Sequence, residues 1–265
     1  MNQSAMSLLR RIGFLWVVCG LFVCIGGCRK RSGGVELARV AKGAREGVYY
    51  SLFVRSFADS DGDGIGDLAG LTQKLDYLND GSDATDSDLG VTGLWLLPIF
   101  PSPSYHGYDV TDYCAINPEY GTMEDFETLI AEADKRGISI ILDFPCNHSS
   151  TDHPWFAASR DTDDVHRSWY YWLDGEAAAA HFGTSLQKQV WGHPLWNKTD
   201  GGYYAGLFDA SMPDLNIANP AVRDALKDAA EFWLKKGVAG FRLDAAAHVF
   251  NMNKLPVGME GLSSS

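Results

Sequence analysis

Basic residues are scarce in this sequence. Its 265 residues contain 22 lysines and arginines against 34 aspartates and glutamates, which gives a formal net charge of −12 at pH 7. Proteins bind the phosphate backbone of nucleic acids mainly by neutralising it with lysine and arginine. The charge therefore argues against a nucleic-acid partner.

Cysteine is also rare outside the N-terminus. Three of the five cysteines lie in the first 28 residues, and only Cys114 and Cys146 remain in the rest of the chain. That number is too small for a small domain held together by disulfides. With 46% hydrophobic and 12% aromatic residues, the composition also excludes a disordered chain and indicates a folded core.

No hydrophobic run is long enough to span a bilayer. The longest, over residues 12–25, follows Arg10 and Arg11 and contains about 14 residues, whereas a spanning helix needs roughly 20. This pattern favours a signal peptide over a membrane anchor. The run ends in Gly26-Gly27-Cys28, which resembles a bacterial lipoprotein box. The sequence thus predicts a lipoprotein signal peptide over 1–27, a lipid on Cys28, a tether over 28–46, and export to the periplasm or cell surface.

The rest of the chain alternates strands with helices. Apolar, β-branched and aromatic runs predict strands at 48–54, 90–99, 138–144 and 238–243. Helical spacing of apolar residues predicts helices at 68–78, 123–135 and 220–236. Strands that alternate with helices form a parallel sheet covered on both faces, so the fold class is α/β.

Regular periodicity is lost between residues 147 and 219. Five tryptophans fall in this segment, together with many glycines, aspartates and histidines. We therefore expect an irregular excursion with a small core of its own. The five tryptophans of this segment are Trp155, Trp169, Trp172, Trp191 and Trp196.

Polar residues directly follow three of the predicted strands, where reactive groups lie in α/β barrels. These segments are His106–Asp109, Asp143–His148 and Arg242–Asp244. Each has a plain structural alternative when it is taken alone. Arg242 and Asp244 share one face of a strand and fit a buried structural pair, and a single His148 is more often a satisfied polar residue than a catalytic one.

Four blocks together resemble the α-amylase family of glycoside hydrolases. They are Gly-Tyr-Asp-Val-Thr-Asp-Tyr at 107–113, Asp-Phe-Pro-Cys-Asn-His at 143–148, Met-Pro-Asp-Leu-Asn at 212–216 and Gly-Phe-Arg-Leu-Asp-Ala-Ala-Ala-His at 240–248. The resemblance covers about residues 45–250. The Met-Pro-Asp-Leu-Asn form is similar to the group between neopullulanases and oligo-1,6-glucosidases.

The resemblance implies a fold. Family members are (β/α)₈ TIM barrels with an irregular domain inserted after the third strand, so this chain is expected to form the N-terminal half of such a barrel. Residues 47–146 would supply strands one to three with their helices, and 147–219 the inserted domain. Residues 220–265 would supply the third helix, the fourth strand and a tail.

The resemblance also assigns a nucleophile. Asp244 matches the carboxylate that attacks the anomeric carbon in a retaining mechanism. Arg242 is expected to keep that carboxylate ionised, because a nearby opposite charge favours the charged form. Asp143 and Asn147 match positions with structural roles, the second of which is a calcium ligand in some family members.

Substrate contacts follow from the same blocks. His148 and Asp109 match residues that hold sugar hydroxyls next to the scissile bond. Tyr108 matches an aromatic platform that offers an apolar face to the C–H groups of that sugar. His248 matches a position that lines the next subsite. The implied partner is an α-glucan or maltooligosaccharide.

The loop Asp59–Asp67 carries oxygen ligands at alternate positions, as a hard cation such as Ca²⁺ requires. It is not an EF-hand, because Gly70 occupies the position of the bidentate glutamate. By resemblance to oligo-1,6-glucosidases, this loop binds one Ca²⁺; the alternative is a solvated turn rich in Asp and Gly. The implied ligands are the side chains of Asp59, Asp61, Asp63 and Asp67 and the carbonyl of Ile65.

The catalytic acid has no match. In the family, a glutamate at the end of the fifth strand protonates the leaving group, and the one acidic residue after Asp244 is Glu260, in a Gly-Met-Glu-Gly turn. We therefore expect a retaining α-glucan hydrolase present as its first half, without acid/base residue and inactive by itself. The alternative is a non-catalytic, lipid-anchored glycan-binding remnant.

Overall fold

The computed structural model describes residues 47–84 and 86–249. The expected signal peptide, the lipid-bearing Cys28, the tether and the tail beyond residue 249 lie outside the described residues. Among the helices that the structure describes, none is both long and apolar enough to cross a membrane.

Nine strands and six α-helices make up this part of the chain. The strands are β1 Tyr49–Leu52, β2 Gly93–Leu96, β3 Ser139–Pro145, β4 Trp172–Leu173, β5 Gln189–Val190, β6 His193–Pro194, β7 Trp196–Thr199, β8 Gly202–Ala205 and β9 Gly240–Asp244. The helices are α1 Leu68–Gln73, α2 Leu75–Leu78, α3 Met123–Lys135, α4 Pro154–Ser159, α5 Glu176–His181 and α6 Pro220–Lys235.

The main sheet is parallel, in the order β1-β2-β3-β9. Each of the four strands is separated from the next by helices, as the alternating pattern predicted. β2 is shorter than the predicted 90–99 because Pro98, which has no N–H to donate, follows the last ladder bond, from Leu97 N to Leu52 O at 3.0 Å. The four strands and their helices correspond to the first half of a (β/α)₈ barrel.

Local capping sets the boundaries of the two long helices. α3 spans the predicted 123–135, since Thr122 and Asp125 form a reciprocal capping box at its start. α6 begins with the Asn219 side chain accepting from Ala221 N and with Pro220 in its first turn. The predicted helix over 68–78 is divided at Lys74, whose N–H donates to Leu71 O in the tighter i→i−3 pattern.

The core of the sheet is built around Trp233 of α6, which is fully buried. Its ring packs edge-on to Phe126 of α3 with centroids 5.1 Å apart and lies 5.6 Å from Phe100. Its Nε1 donates to Tyr113 O at 2.7 Å, so the polar end of the indole is satisfied inside the core. The two long helices are thereby joined on one side of the sheet.

The excursion after β3 has the expected small core, but most of its tryptophans lie elsewhere. Trp196 belongs to this second cluster, with Tyr171, Leu173 and Leu195 among its members. Trp155, Trp169 and Trp172 instead pack against the main core. Trp191 is 64% exposed. Of the five tryptophans, Trp196 is the one that belongs to the small core, because α4 and the 3₁₀ helix Val165–Trp169 fold back against the main core.

Candidate active site

The carboxyl ends of β3 and β9 lie side by side. Asp143 is paired in register with Arg242, and Pro145 with Asp244. Residues two apart on a strand face the same side, so Arg242 and Asp244 project together. The Arg242 Nη1 donates to Asp244 Oδ1 at 2.5 Å and to Asp143 Oδ1 at 3.1 Å. One guanidinium thus joins the proposed nucleophile to a neighbouring carboxylate.

Asp143 is the centre of this network. Its carboxylate is fully buried and also accepts from Tyr108 OH at 2.9 Å and from Trp95 Nε1 at 3.3 Å. Burial raises the pKa of Asp143, against the hydrogen bonds from Arg242 and Tyr108, which lower it. By accepting these hydrogen bonds, Asp143 holds the side chains of Arg242 and Tyr108 in place.

Tyr108 keeps its proton at neutral pH. Burial raises the pKa of the Tyr108 phenol, and the negative charge of Asp143 raises it further. The hydroxyl is therefore a donor to Asp143. That bond fixes the tilt of the ring that the resemblance assigns to sugar stacking.

Asp109, the next residue, is 3% exposed and is held by hydroxyl groups. Its Oδ1 accepts from Ser102 Oγ at 2.5 Å and from Ser104 Oγ. The His106 ring nitrogen lies 3.9 Å from the same oxygen. The loop after β2 therefore orients this carboxylate.

His148 is buried where the chain leaves β3. It forms an antiparallel bridge with Asp214, so the Met-Pro-Asp-Leu-Asn block lies against the end of β3. The neighbouring Asn147 donates through Nδ2 to Asp214 Oδ1 at 2.7 Å. Tyr113 OH lies 2.8 Å from His148 O and 2.9 Å from Pro145 O. The backbone around His148 is thus held from two sides.

Sequence reasoning missed Phe208, which connects two of the predicted residues. Its ring lies 5.2 Å from His148 and 5.5 Å from His248. His248 comes close because Ala245, directly after Asp244, adopts a left-handed conformation (φ 52°) that turns the chain into the 3₁₀ helix Ala246–His248. The one signal for Phe208 in the sequence is its place just before the Met-Pro-Asp-Leu-Asn block.

The acidic loop brings together three of the four predicted aspartates. Carboxylate oxygens of Asp59, Asp61 and Asp67 lie within 4.8 Å of one another, an oxygen set that suits a hard cation. The Asp63 Oδ1 instead accepts from Ile65 N at 2.7 Å. Hydrogen bonds from Gly62 and Gly64 lower the pKa of Asp59. Partial burial raises the pKa of Asp67, but bonds from Ser60 and Gly70 outweigh it and leave that pKa lowered.

Comparison with known proteins gives one consistent family. The model of the α-amylase catalytic domain matches residues 51–261. The chain is 50% identical over 208 residues to α-amylase 3 of Dictyoglomus thermophilum, covering 78% of this chain and 38% of that protein. It is 40% identical over 218 residues to an oligo-1,6-glucosidase of Parageobacillus thermoglucosidasius, covering 81% and 37%.

A solved structure agrees with the sequence relatives. The crystal structure of an α-amylase from H. orenii superimposes with a TM-score of 0.71 at 53% identity, covering 77% of this chain and 41% of that one. The chain therefore spans about two fifths of the length of the proteins it matches. The residues that match the family model, 51–261, include the carboxyl ends of β3 and β9.

Proposed function

The chain belongs to the α-amylase family of glycoside hydrolases, and on that premise we propose that it supplies the nucleophile half of a retaining active site for α-glucans. The observation that carries the proposal is the position of the Arg242 guanidinium between Asp143 and Asp244. The bond from Arg242 Nη1 to Asp244 Oδ1 fixes the orientation of this carboxylate, which a nucleophile that must reach one carbon atom needs.

In this mechanism an oxygen of Asp244 attacks the anomeric carbon of a glucosyl unit. A carbon–oxygen ester bond forms while the glycosidic carbon–oxygen bond breaks, and the leaving oxygen takes a proton from an acid. Asp143 does not suit the role of that acid, since it is fully buried and already bonded to Arg242 and Tyr108. Its role is to position those two side chains.

Substrate binding is proposed for four side chains. The ring of Tyr108 would stack on the sugar at Asp244, and Asp109 and His148 would accept and donate hydrogen bonds at its hydroxyls. His248 would line the neighbouring subsite. The support is their shared position on the loops that follow β2, β3 and β9, where barrel enzymes carry their active sites.

Ca²⁺ is proposed as a structural ligand of the loop after β1. Asp59, Asp61 and Asp67 would hold the ion through their carboxylates, with Asp63 and the Ile65 carbonyl as further ligands by resemblance. The ion would supply positive charge that offsets the repulsion among these carboxylates. No catalytic step is attributed to it.

Labelling of Asp244 tests the proposed activity. An α-glucosyl fluoride with a second fluorine at C5 has a leaving group that departs without an acid, so the nucleophile alone suffices to open the C–F bond. We expect one glucosyl adduct on the peptide that contains Asp244, detected by mass spectrometry. The Asp244→Asn variant should stay unlabelled, and Asp224→Asn, on the exposed face of α6, should react like the parent.

An unlabelled parent chain would contradict the assignment of Asp244. If such a chain still binds maltopentaose, the glycan-binding alternative replaces the hydrolase. Labelling of Asp244→Asn at another carboxylate would move the nucleophile to that residue.

Anchoring by lipid is a separate proposal. It rests on the charge, apolar length and Gly-Gly-Cys ending of the N-terminal segment, which lies outside the described residues. Replacing Cys28 with serine should leave an unprocessed precursor and abolish labelling by radioactive palmitate in a bacterial host. Continued palmitate incorporation in Cys28→Ser would overturn the proposal.

A further inference from the structure

Trp191 lies at the tip of a tight hairpin in an unusual conformation. Val190 of β5 pairs with His193 of β6, so Trp191 and Gly192 form the two-residue turn. Their φ angles of 50° and 89° are those of a type I′ turn, which strongly favours asparagine and glycine. A bulky aromatic residue is strained at this first position, and such strain is commonly found at binding sites.

The ring of Trp191 extends the row of aromatic groups that begins at His148. Its centroid lies 5.4 Å from Phe208 and 5.6 Å from His248, the latter nearly perpendicular at 83°. Phe208 in turn lies 5.2 Å from His148. The strained turn therefore directs this side chain towards the loops that follow β3 and β9, rather than away from the molecule.

These contacts hold the ring without covering it. Trp191 remains 64% exposed, whereas Trp196 of the same excursion is 3% exposed. A large apolar ring that is held by two neighbouring rings and remains mostly exposed suits a ligand with an apolar face. The C–H faces of a pyranose sugar have that character, and a neutral sugar requires no compensating charge at the contact.

We propose that Trp191 is a stacking platform for the glucosyl unit next to the one held at Asp244, which makes it a determinant of preference for longer glucans. This inference rests on the proposed function. Trp191 touches substrate in this arrangement but takes no part in bond breaking. Its contribution should appear only with ligands long enough to reach both Asp244 and the hairpin.

Binding measurements on the full 265-residue chain test the platform. Isothermal titration with maltopentaose should show an affinity about tenfold lower for Trp191→Asn than for the parent, the equivalent of ~1.4 kcal/mol and within the range of aromatic contacts. Asparagine favours the turn, so the melting temperature of this variant should be no lower than that of the parent. Trp191→Phe should keep most of the affinity.

Two controls accompany the titration. Tyr77→Ala removes an aromatic side chain that is 56% exposed on α2 and should leave maltopentaose affinity unchanged. Maltopentaose should also protect the indole of Trp191 from oxidation by N-bromosuccinimide, as read by peptide mapping.

Equal affinity of Trp191→Asn and the parent, or oxidation of Trp191 at the same rate with and without maltopentaose, would overturn the platform. The labelling of Asp244 decides the proposed function independently. A chain that is labelled at Asp244 but indifferent to Trp191→Asn would retain the function and lose the platform. A parent chain that neither binds maltopentaose nor is labelled would refute both.

Discussion

Single residues in this protein owe their properties to burial and to their hydrogen-bond partners. His153 is an example outside the proposed active site. It is 4% exposed, caps α4 by accepting from Trp155 N through Nδ1 at 3.1 Å, and lies 4.2 Å from the Trp155 ring. Burial lowers the pKa of His153 from 6.5 to about 4, and Asp112 offsets only part of that effect. The imidazole is therefore neutral in the folded chain at pH 5 and above.

This shift predicts a pH-dependent stability. Between pH 6.5 and about 4 the unfolded chain binds a proton at His153 that the folded chain does not, so acidification through this window favours unfolding. The stability that neutral His153 contributes is fully present above pH 6.5 and is lost as the pH falls, by roughly 3 kcal/mol at pH 4. The measurement is the free energy of urea unfolding of the chain at a series of pH values.

His153→Asn provides the comparison, since asparagine also caps helices but does not titrate. The difference in unfolding free energy between pH 7 and pH 4 should be smaller for this variant than for the parent. His181→Asn, at the exposed end of α5, should behave like the parent. An unchanged pH dependence in His153→Asn would show that His153 does not carry the effect.

At the scale of elements, the loop between β1 and α1 both caps a helix and carries the proposed cation ligands. Asp67 accepts from Ser60 N at 2.8 Å, which closes the loop, and from Gly70 N at 2.6 Å, which caps α1. The same carboxylate belongs to the cluster with Asp59 and Asp61. Occupation of the loop by a cation would therefore stabilise the start of α1 and the closed form of the loop together.

We expect Ca²⁺ to raise the melting temperature of the chain. A ligand at a hundred times its dissociation constant stabilises the folded state by about 2.7 kcal/mol, which corresponds to roughly 5–10 °C for a domain of this size. Asp59→Asn and Asp61→Asn should lose this response. Asp63→Asn should lose less, because Asp63 accepts from Ile65 N and is outside the close cluster.

Differential scanning calorimetry with added Ca²⁺ and with chelator gives the comparison. Asp83→Asn, in the separate acidic loop after α2, should respond like the parent. A parent chain with the same melting temperature in both buffers would refute the calcium site. Equal losses at Asp63 and Asp59 would instead restore the complete ligand set that the family resemblance implies.

At the scale of the whole molecule, the carboxyl groups near the proposed nucleophile decide which chemistry the described residues can support. A retaining glycosidase needs two carboxyl groups about 5–5.5 Å apart, one as nucleophile and one as acid/base. Among the described residues, Asp143 and Asp244 share Arg242, and Asp143 is fully buried. The outer strands β1 and β9 of the described sheet also carry exposed apolar residues, with Tyr49 at 39% and Leu243 at 54% exposure.

We therefore predict that these 265 residues by themselves do not hydrolyse maltopentaose at a measurable rate. Acid/base assistance is worth roughly 10²–10⁴-fold, and without it Asp244 neither expels a glycosidic oxygen nor releases its ester. Product analysis by chromatography should find no difference between the parent and Asp244→Asn. Hydrolysis by the parent that is lost in Asp244→Asn would show that an acid is supplied from within this chain.

The sequence determined the parts of this protein that depend on near neighbours along the chain. The boundaries of α3 follow from Thr122 and Asp125, three residues apart, and the four parallel strands follow from apolar runs separated by helical patterns. The blocks around Asp143, Asp214 and Asp244 were sufficient to recognise the family.

Tertiary structure decided which of these residues meet. Tyr108 and Asp143 are 35 residues apart in the chain, and Asp143 and Arg242 are 99 apart, yet each pair is joined by a hydrogen bond. The sequence also did not predict that Trp191 is exposed and lies against His248, because tryptophans in this segment indicated only a small core. Sequence patterns report periodicity over a few turns or strand residues, whereas the meeting of distant loops depends on the path of the backbone between them. That path is set by the packing of the sheet, the helices and the inserted segment together.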